Sequence, residues 1–208
     1  MSAPVARGLF LGAAALTAAA LVLPLWGFLM TAPQYPDESL SLRVTTSGIT
    51  GDVKEIATLQ KYAGIRFPDS LPELRWLRPA LGGLAAILFA AGFGRGRAGR
   101  VFGVAVAVAL AGFLLGSAVL VQVRLHAVGH DRDPNAPLRG VKDFTPPLVG
   151  PKKVGNFTVW SYPHAGGVAL GAAGVLAAAG ARRRRRRGTP AGQTAATQAE
   201  GRTWHLSA

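Results

Sequence analysis

The chain has 208 residues, of which 50% are hydrophobic and only 16% are charged. A soluble domain of this size carries about 25% charged residues, so the composition argues against a large soluble core and indicates a membrane protein. The formal net charge of +13 is no sign of nucleic-acid binding, because six arginines form one run directly after an apolar segment, where basic residues set membrane topology. The absence of cysteine excludes disulfides, thiolate metal sites and covalently attached haem.

Four apolar segments have the length of a membrane-spanning helix, about 17–25 residues. They cover residues 8–30, 77–93, 101–123 and 165–181. The apolar part of the first segment is longer than that of a signal peptide and lacks a clear small-residue cleavage pattern, so we expect an uncleaved span. The sequence therefore predicts an all-α integral membrane protein with four transmembrane helices.

Basic residues beside these segments set the expected orientation. A four-span arrangement places three segments on one side of the membrane: residues 1–7, the short turn at 94–100 and the tail at 182–208. We expect this tail to be disordered after its arginines. Because basic residues are densest there, we predict a multi-pass protein of the bacterial inner (plasma) membrane with both termini cytoplasmic. The arginines that carry this prediction are Arg95, Arg97, Arg100, Arg182, Arg183, Arg184, Arg185, Arg186 and Arg187.

The first extracytoplasmic loop, residues 31–76, combines a strand pattern with a helix pattern. In "SLSLRVT" the apolar residues alternate with polar ones, which is typical of a short strand. Further on, Asp52 is placed to cap a helix, Glu55 follows three residues later, and Gly64 is placed to end it. We expect a small strand-plus-helix element on the outer surface of the membrane.

The second extracytoplasmic loop, residues 124–164, is rich in proline, glycine and aromatic residues. Its prolines preclude a long helix. We expect an ordered, extended segment along the outer surface, since long ordered loops tend to be functional.

Both outer loops carry motifs that resemble those of one family. The stretches "PQYPDESL", "GDVKEIATLQKYAG" and "GHDRDPNAPLRGVKDFTPPLVGPKKVGNF" resemble the motifs of small multi-span membrane proteins encoded in clade II nitrous oxide reductase (nos) gene clusters, the NosB-like family. The residues that carry the resemblance are Tyr35, Pro36, Asp52, Glu55, Tyr62, Gly64, His130, Asp133, Pro134, Pro137, Phe144, Pro146, Pro147, Asn156 and Phe157.

This chain departs from the family pattern in the first loop. Where the pattern has Asn-His and Ile-Gly-Met, the chain reads Gln60-Lys61 and Ala63-Gly64-Ile65-Arg66. A histidine and a methionine, both side chains that bind copper, are therefore missing from this loop.

The resemblance implies a non-enzymatic accessory role in denitrification. Such a protein assists the assembly, copper supply or electron delivery of nitrous oxide reductase through contacts with membrane or periplasmic proteins of that system. The predicted spans hold no charged residue and no histidine in their interiors, which argues against an ion pump, a transporter or an intramembrane di-haem cytochrome. The sequence contains no catalytic motif, so we expect no enzymatic activity. As partners we expect membrane lipids and proteins, and no nucleic acid.

The end of the third segment leaves two interpretations open for its histidines. His126 and His130 are four residues apart, a spacing that can seat one copper or zinc ion on a helix face, with Asp131, Asp133 or His164 as a further ligand. The alternative function is therefore an outer-face copper- or metal-binding membrane protein. The structural interpretation, which we favour, is that the histidines stabilise the C-terminus of a helix.

Overall fold

The computed structural model describes residues 3–32, 35–63, 74–131, 143–154 and 157–186. Within these ranges the chain forms five helices and one five-stranded sheet. The helices are α1 (Ala3–Ala19), α2 (Val53–Ala63), α3 (Leu74–Phe93), α4 (Gly96–His130) and α5 (Ala165–Arg186).

Four of these helices form a bundle in which α1 packs on α3 and α5, and α4 packs on the same two helices. The bundle core contains Phe10, Leu88 and Leu110, all fully buried, together with several alanines of α1 and α5. Small residues let the helix backbones approach closely, which is how helices associate where lipid removes the hydrophobic driving force. The large apolar side chains that remain exposed on the bundle, such as Leu115 and Val175, suit a lipid environment.

The sheet is antiparallel throughout, with strand order β3-β2-β1-β5-β4. Because β1 follows α1 and β5 leads into α5, the sheet stands at one end of the bundle. The strands are β1 (Trp26–Ala32), β2 (Tyr35–Thr45), β3 (Gly48–Gly51), β4 (Gly150–Val154) and β5 (Phe157–Pro163).

Backbone hydrogen bonds join the sheet to the bundle at the start of α5. The amide of His164 donates to the carbonyl of Leu25, and the amide of Gly166 donates to the carbonyl of Pro24. A Cβ on Gly166 would lie 2.8 Å from the Pro24 oxygen, so only glycine allows this contact. Two amides at the start of α5 are thereby satisfied within the chain.

The prediction of an all-α protein with four transmembrane helices is wrong. The protein is mixed α/β, and the part of the chain that the structure describes has three helices long and apolar enough to cross a membrane: Arg75–Phe93, Gly96–His130 and Ala165–Arg186. The remaining apolar helix, Pro4–Ala19, is shorter. These lengths and compositions are those of a membrane protein.

The error arises in the predicted first span, residues 8–30. Here α1 ends at Ala19, and the chain continues into β1 at Trp26. Pro24 has no amide hydrogen to donate within a helix. A continuous apolar run is equally compatible with a helix and with a buried strand, so hydrophobicity alone does not distinguish them. Strand β1 pairs with β2, which follows it directly, and with β5, more than 100 residues further along the chain. Its own residues continue the apolar run of α1 without alternation, so they give no sign of a strand.

Helix α4 is longer than its predicted span of residues 101–123, since it runs from Gly96 to His130. At 1.5 Å per residue its 35 residues extend over roughly 52 Å, compared with about 30 Å for the hydrocarbon core of a bilayer. The helix is therefore longer than a perpendicular crossing of the hydrocarbon core requires, and its C-terminal turns lie at the sheet end of the bundle. The second loop, predicted as an extended segment, contributes strands β4 and β5.

Candidate functional site

One face of the sheet exposes two aromatic side chains. Trp160 of β5 stands opposite Leu29 of β1 on one side and Pro151 of β4 on the other. Tyr162, two residues along β5, points to the same face. Trp160 is 47% exposed and Tyr162 is 37% exposed, whereas Ser161 between them is buried on the opposite face.

The ring of Tyr162 lies directly over a glycine in the neighbouring strand. Gly27 is the cross-strand partner of Tyr162, and a Cβ at Gly27 would lie 2.6 Å from the Cζ atom of the ring. The missing side chain thus provides the space into which the ring folds. This contact holds the Tyr162 ring against the neighbouring strand.

Two cations flank these aromatic residues. Arg43 of β2 pairs with Gly27, in line with Tyr162, and Lys153 of β4 pairs with Thr158. Both cations are exposed. We define the outward face of the sheet as Leu29, Arg43, Lys153, Trp160 and Tyr162.

The opposite face of the sheet is held by the segment 143–149. The hydroxyl of Ser161 donates to the carbonyl of Leu148 at 2.7 Å, and the indole Nε1 of Trp26 donates to the Ser161 hydroxyl at 2.8 Å. This chain of hydrogen bonds satisfies a buried hydroxyl. It also fixes which face of the sheet looks outward.

The same segment packs along the C-terminal turns of α4. Gln122 donates from Nε2 to the carbonyl of Pro146 at 3.3 Å, and the amide of Phe144 donates to the carbonyl of Gly129 at 3.3 Å. A Cβ on Gly129 would collide with the carbonyl of Phe144. The glycine in the "GH" motif therefore serves a close backbone approach.

The histidine pair lies at this end of α4. The rings of His126 and His130 are stacked, with centroids 3.9 Å apart and planes inclined by 32°. Nδ1 of His130 donates to the carbonyl of His126 at 2.9 Å, because a carbonyl can only accept, and Nδ1 of His126 shares a hydrogen bond with the hydroxyl of Thr145 at 2.8 Å. Both Nδ1 atoms are thus engaged in holding the end of the helix and the segment beside it.

A third metal ligand is not assembled around this pair in the described residues, which contain no group of three or more His, Cys, Asp or Glu suited to a metal ion. His164, the third histidine predicted as a ligand, precedes α5, and its Nδ1 accepts a hydrogen bond from the amide of Ala165. Asp133 lies outside the described residues. The metal site stays a prediction that requires ligands from elsewhere.

Among the motif residues of the first loop, Asp52 makes a structural contact. The carboxylate of Asp52 accepts a hydrogen bond from the Ser41 amide at 2.7 Å, which ties the start of α2 to β2. Glu55 is exposed in the first turn of α2. Tyr35 and Pro36 begin β2, Tyr62 lies in the last turn of α2, and Phe157 begins β5. Gly64, Pro134, Pro137, Asn156 and Arg187 lie outside the described residues.

Arg184, at the other end of the bundle, has a structural role that its place in a run of arginines does not indicate. The Arg184 guanidinium donates to the carbonyls of Ala91 at 2.6 Å, Gly92 at 3.3 Å and Gly99 at 2.9 Å. It also lies over the ring of Phe10, 4.6 Å from its centroid. One arginine of the run thus binds the end of α3 and the start of α4, while its neighbours on the helix are exposed.

No protein-family model, curated protein or solved structure matches this chain. The three long apolar helices make it a membrane protein. Its more specific function must be inferred from the outward face of the sheet, the histidine pair and the motifs of the two loops.

Proposed function

We propose that this chain is a non-enzymatic accessory protein of the bacterial inner membrane that docks an extracytoplasmic partner on the outward face of its sheet. The observation that carries the proposal is the exposure of Trp160 and Tyr162 on a rigid strand. Interface hot spots are enriched in tryptophan, tyrosine and arginine. An aromatic side chain already held by its strand loses little conformational freedom when a partner binds.

The position of each ring along β5 distinguishes partner binding from membrane anchoring. Tyr162 is close to the point where β5 enters α5, at the level where aromatic side chains sit in the membrane interface. Trp160 is two residues further from the helix, or about 7 Å along the strand. We therefore assign Trp160 as the main contact with a protein partner.

The charges on the outward face indicate the chemistry of that partner. Arg43 and Lys153 favour a surface with an apolar centre and acidic residues around it. The dense arginines at the opposite end of the bundle support placing the sheet outside the cytoplasm. The resemblance of the loop motifs to the NosB-like family suggests the nitrous oxide reductase system. We therefore propose as the partner nitrous oxide reductase, one of its copper chaperones or a cytochrome that delivers electrons to it.

Trp160→Ser tests this proposal against a matched control. We expect the variant to retain roughly one thirtieth of the wild-type affinity for the partner, since removing a hot-spot tryptophan costs at least about 2 kcal/mol. Nitrous oxide reduction by the host should fall accordingly. The control is Trp76→Ser, because Trp76 is 78% exposed but lies at the start of α3 rather than on the sheet. Equal partner recovery and equal reduction rates for wild type and Trp160→Ser would rule the docking face out.

A second candidate function, metal binding at the outer surface, is favoured by one feature of the histidine pair. His130 donates from Nδ1 to a backbone carbonyl, the arrangement that leaves Nε2 as the ligand in many metal sites. This candidate predicts that purified protein binds copper or zinc and that a His126→Ala/His130→Ala double variant does not. His164→Ala should leave binding intact, because His164 caps α5. The docking proposal predicts instead that metal analysis finds no stoichiometric ion in either protein.

A further inference from the structure

The outer surface of the bundle contains an apolar cleft between α1 and α3. Its volume is about 380 Å³, and one side is open. The side chains that line it are Leu11, Ala14, Ala15, Ala18, Ala85 and Phe89.

The cleft exists because small side chains face each other across the two helices. Residues 11, 14, 15 and 18 form one stripe on α1, and three of the four are alanine. On α3 the facing stripe has a small residue, Ala85, followed one turn later by the larger Phe89. Side chains of this kind, with no polar group among them, suit the occupancy of the cleft by a hydrocarbon chain.

A cation lies at one end of the cleft. Arg7 is one helical turn before Leu11 and shares its stripe on α1. The guanidinium carbon of Arg7 stands 4.2 Å from the centroid of the Phe93 ring, and Phe93 in turn packs on Phe89 at 5.1 Å. Arg7 is exposed, and the first turn of α1 contains no acidic residue to neutralise it.

The length of the stripe matches one leaflet of a bilayer. Arg7 and Ala18 are 11 residues apart, which corresponds to about 16 Å along a helix, and half of a typical hydrocarbon core is about 15 Å. An acyl chain in the cleft would therefore place a lipid headgroup beside Arg7. A planar guanidinium binds a phosphate through two parallel hydrogen bonds, and the nearby N-terminus of α1 adds a partial positive charge.

We propose that this cleft is a binding site for one anionic phospholipid, with an acyl chain between α1 and α3 and the phosphate on Arg7. The positive charge of Arg7 favours an anionic lipid over a neutral one. The length of the cleft matches one leaflet, which favours a lipid over a helix that crosses the whole membrane. The site lies in the leaflet next to the arginine-rich end of the bundle. It is independent of the docking face, because it involves none of the same residues.

Native mass spectrometry of the full chain in detergent tests the site, with phosphatidylglycerol and phosphatidylcholine of identical acyl chains as the probes. We expect phosphatidylglycerol to be retained about fivefold more than phosphatidylcholine, the attraction expected for one arginine at a membrane surface. Arg7→Gln should abolish this preference. Arg97→Gln, which removes an exposed arginine outside the cleft, should preserve it.

Filling the cleft provides a second test that does not depend on charge. Ala15→Leu and Ala18→Leu place an apolar side chain at exposed lining positions and should each reduce bound phospholipid about tenfold by displacing buried methylenes. Ala105→Leu adds the same side chain to an exposed position of α4 and should have no effect. Equal retention of the two lipids by wild type would overturn the proposal, as would full retention in both cleft variants. Chain dimers that disappear on filling the cleft would also overturn it by identifying a second copy as the occupant.

Discussion

The Arg184→Ala variant is expected to lose about 2–3 kcal/mol of unfolding free energy, roughly the value of one or two hydrogen bonds from a charged donor. The three carbonyls that Arg184 binds, those of Ala91, Gly92 and Gly99, lie at the end of α3 and the start of α4. Carbonyls in the last turn of α3 have no donor within the helix, although that of Ala91 also accepts from the Gly94 amide. The variant therefore removes a charged donor from all three carbonyls. The estimate is below the sum of three such bonds because Arg184 is only half-buried.

Its neighbours in the arginine run provide the control for this prediction. Arg183 and Arg185 carry the same charge but are exposed, and substitution of either with alanine should change stability by less than about 0.5 kcal/mol. Denaturant titration in micelles compares the three variants directly. Membrane orientation should be unchanged in all of them, because the remaining basic residues still mark the same side. Equal stability of the Arg184 and Arg183 variants would show that the hydrogen bonds contribute nothing.

Phe10→Ala is expected to destabilise the bundle by about 2–3 kcal/mol. Phe10 is fully buried, and its ring packs against two glycines. A Cβ added to Gly103 would lie 3.1 Å from the ring, and a Cβ added to Gly180 would lie 2.9 Å from it. Truncating a buried phenylalanine costs about 3–5 kcal/mol in soluble proteins. We expect less here because the transfer component is small when the alternative environment is lipid, which leaves mainly the cavity.

The same micelle titration measures this effect, with Phe102→Ala as the control. Phe102 is exposed on α4, so its removal leaves no cavity. Because Arg184 lies over the Phe10 ring, the double variant should be more stable than the sum of the two single effects implies. Strict additivity would contradict the cation–π contact, and a Phe10→Ala variant as stable as wild type would contradict the tight packing of the core.

The hydrophobic pattern identified a strand where apolar and polar residues alternate clearly. The alternating apolar residues of residues 40–44 predicted a strand, and β2 lies there. The same period was present in "FTVWSYP", where Trp160 and Tyr162 alternate with Ser161, but the surrounding prolines and glycines suggested a loop. Strand β1 was missed because its residues continue the apolar run of α1 without alternation, although its partner β2 follows it directly in the chain.

The spacing of buried residues along α5 indicates the role of Arg184, whereas the density of basic residues does not. The buried residues of α5 include positions 170, 173, 177 and 180, and position 184 continues that stripe by one turn. Charge density indicates where the run lies relative to the membrane, but only this periodicity distinguishes Arg184 from its neighbours. The three carbonyls that it binds belong to residues about 90 positions earlier, so sequence spacing could not have indicated them.

Cross-linking mass spectrometry on native membranes of nitrous oxide-respiring cells tests the docking proposal most directly. Lys152 and Lys153 of β4 are exposed amines at the edge of the sheet, so a bound partner should cross-link to them. We predict links from these lysines to an extracytoplasmic protein of the nitrous oxide reductase system and their loss in Trp160→Ser. Absence of such links when those proteins are abundant in the sample, or links that persist unchanged in Trp160→Ser, would contradict the proposed docking face.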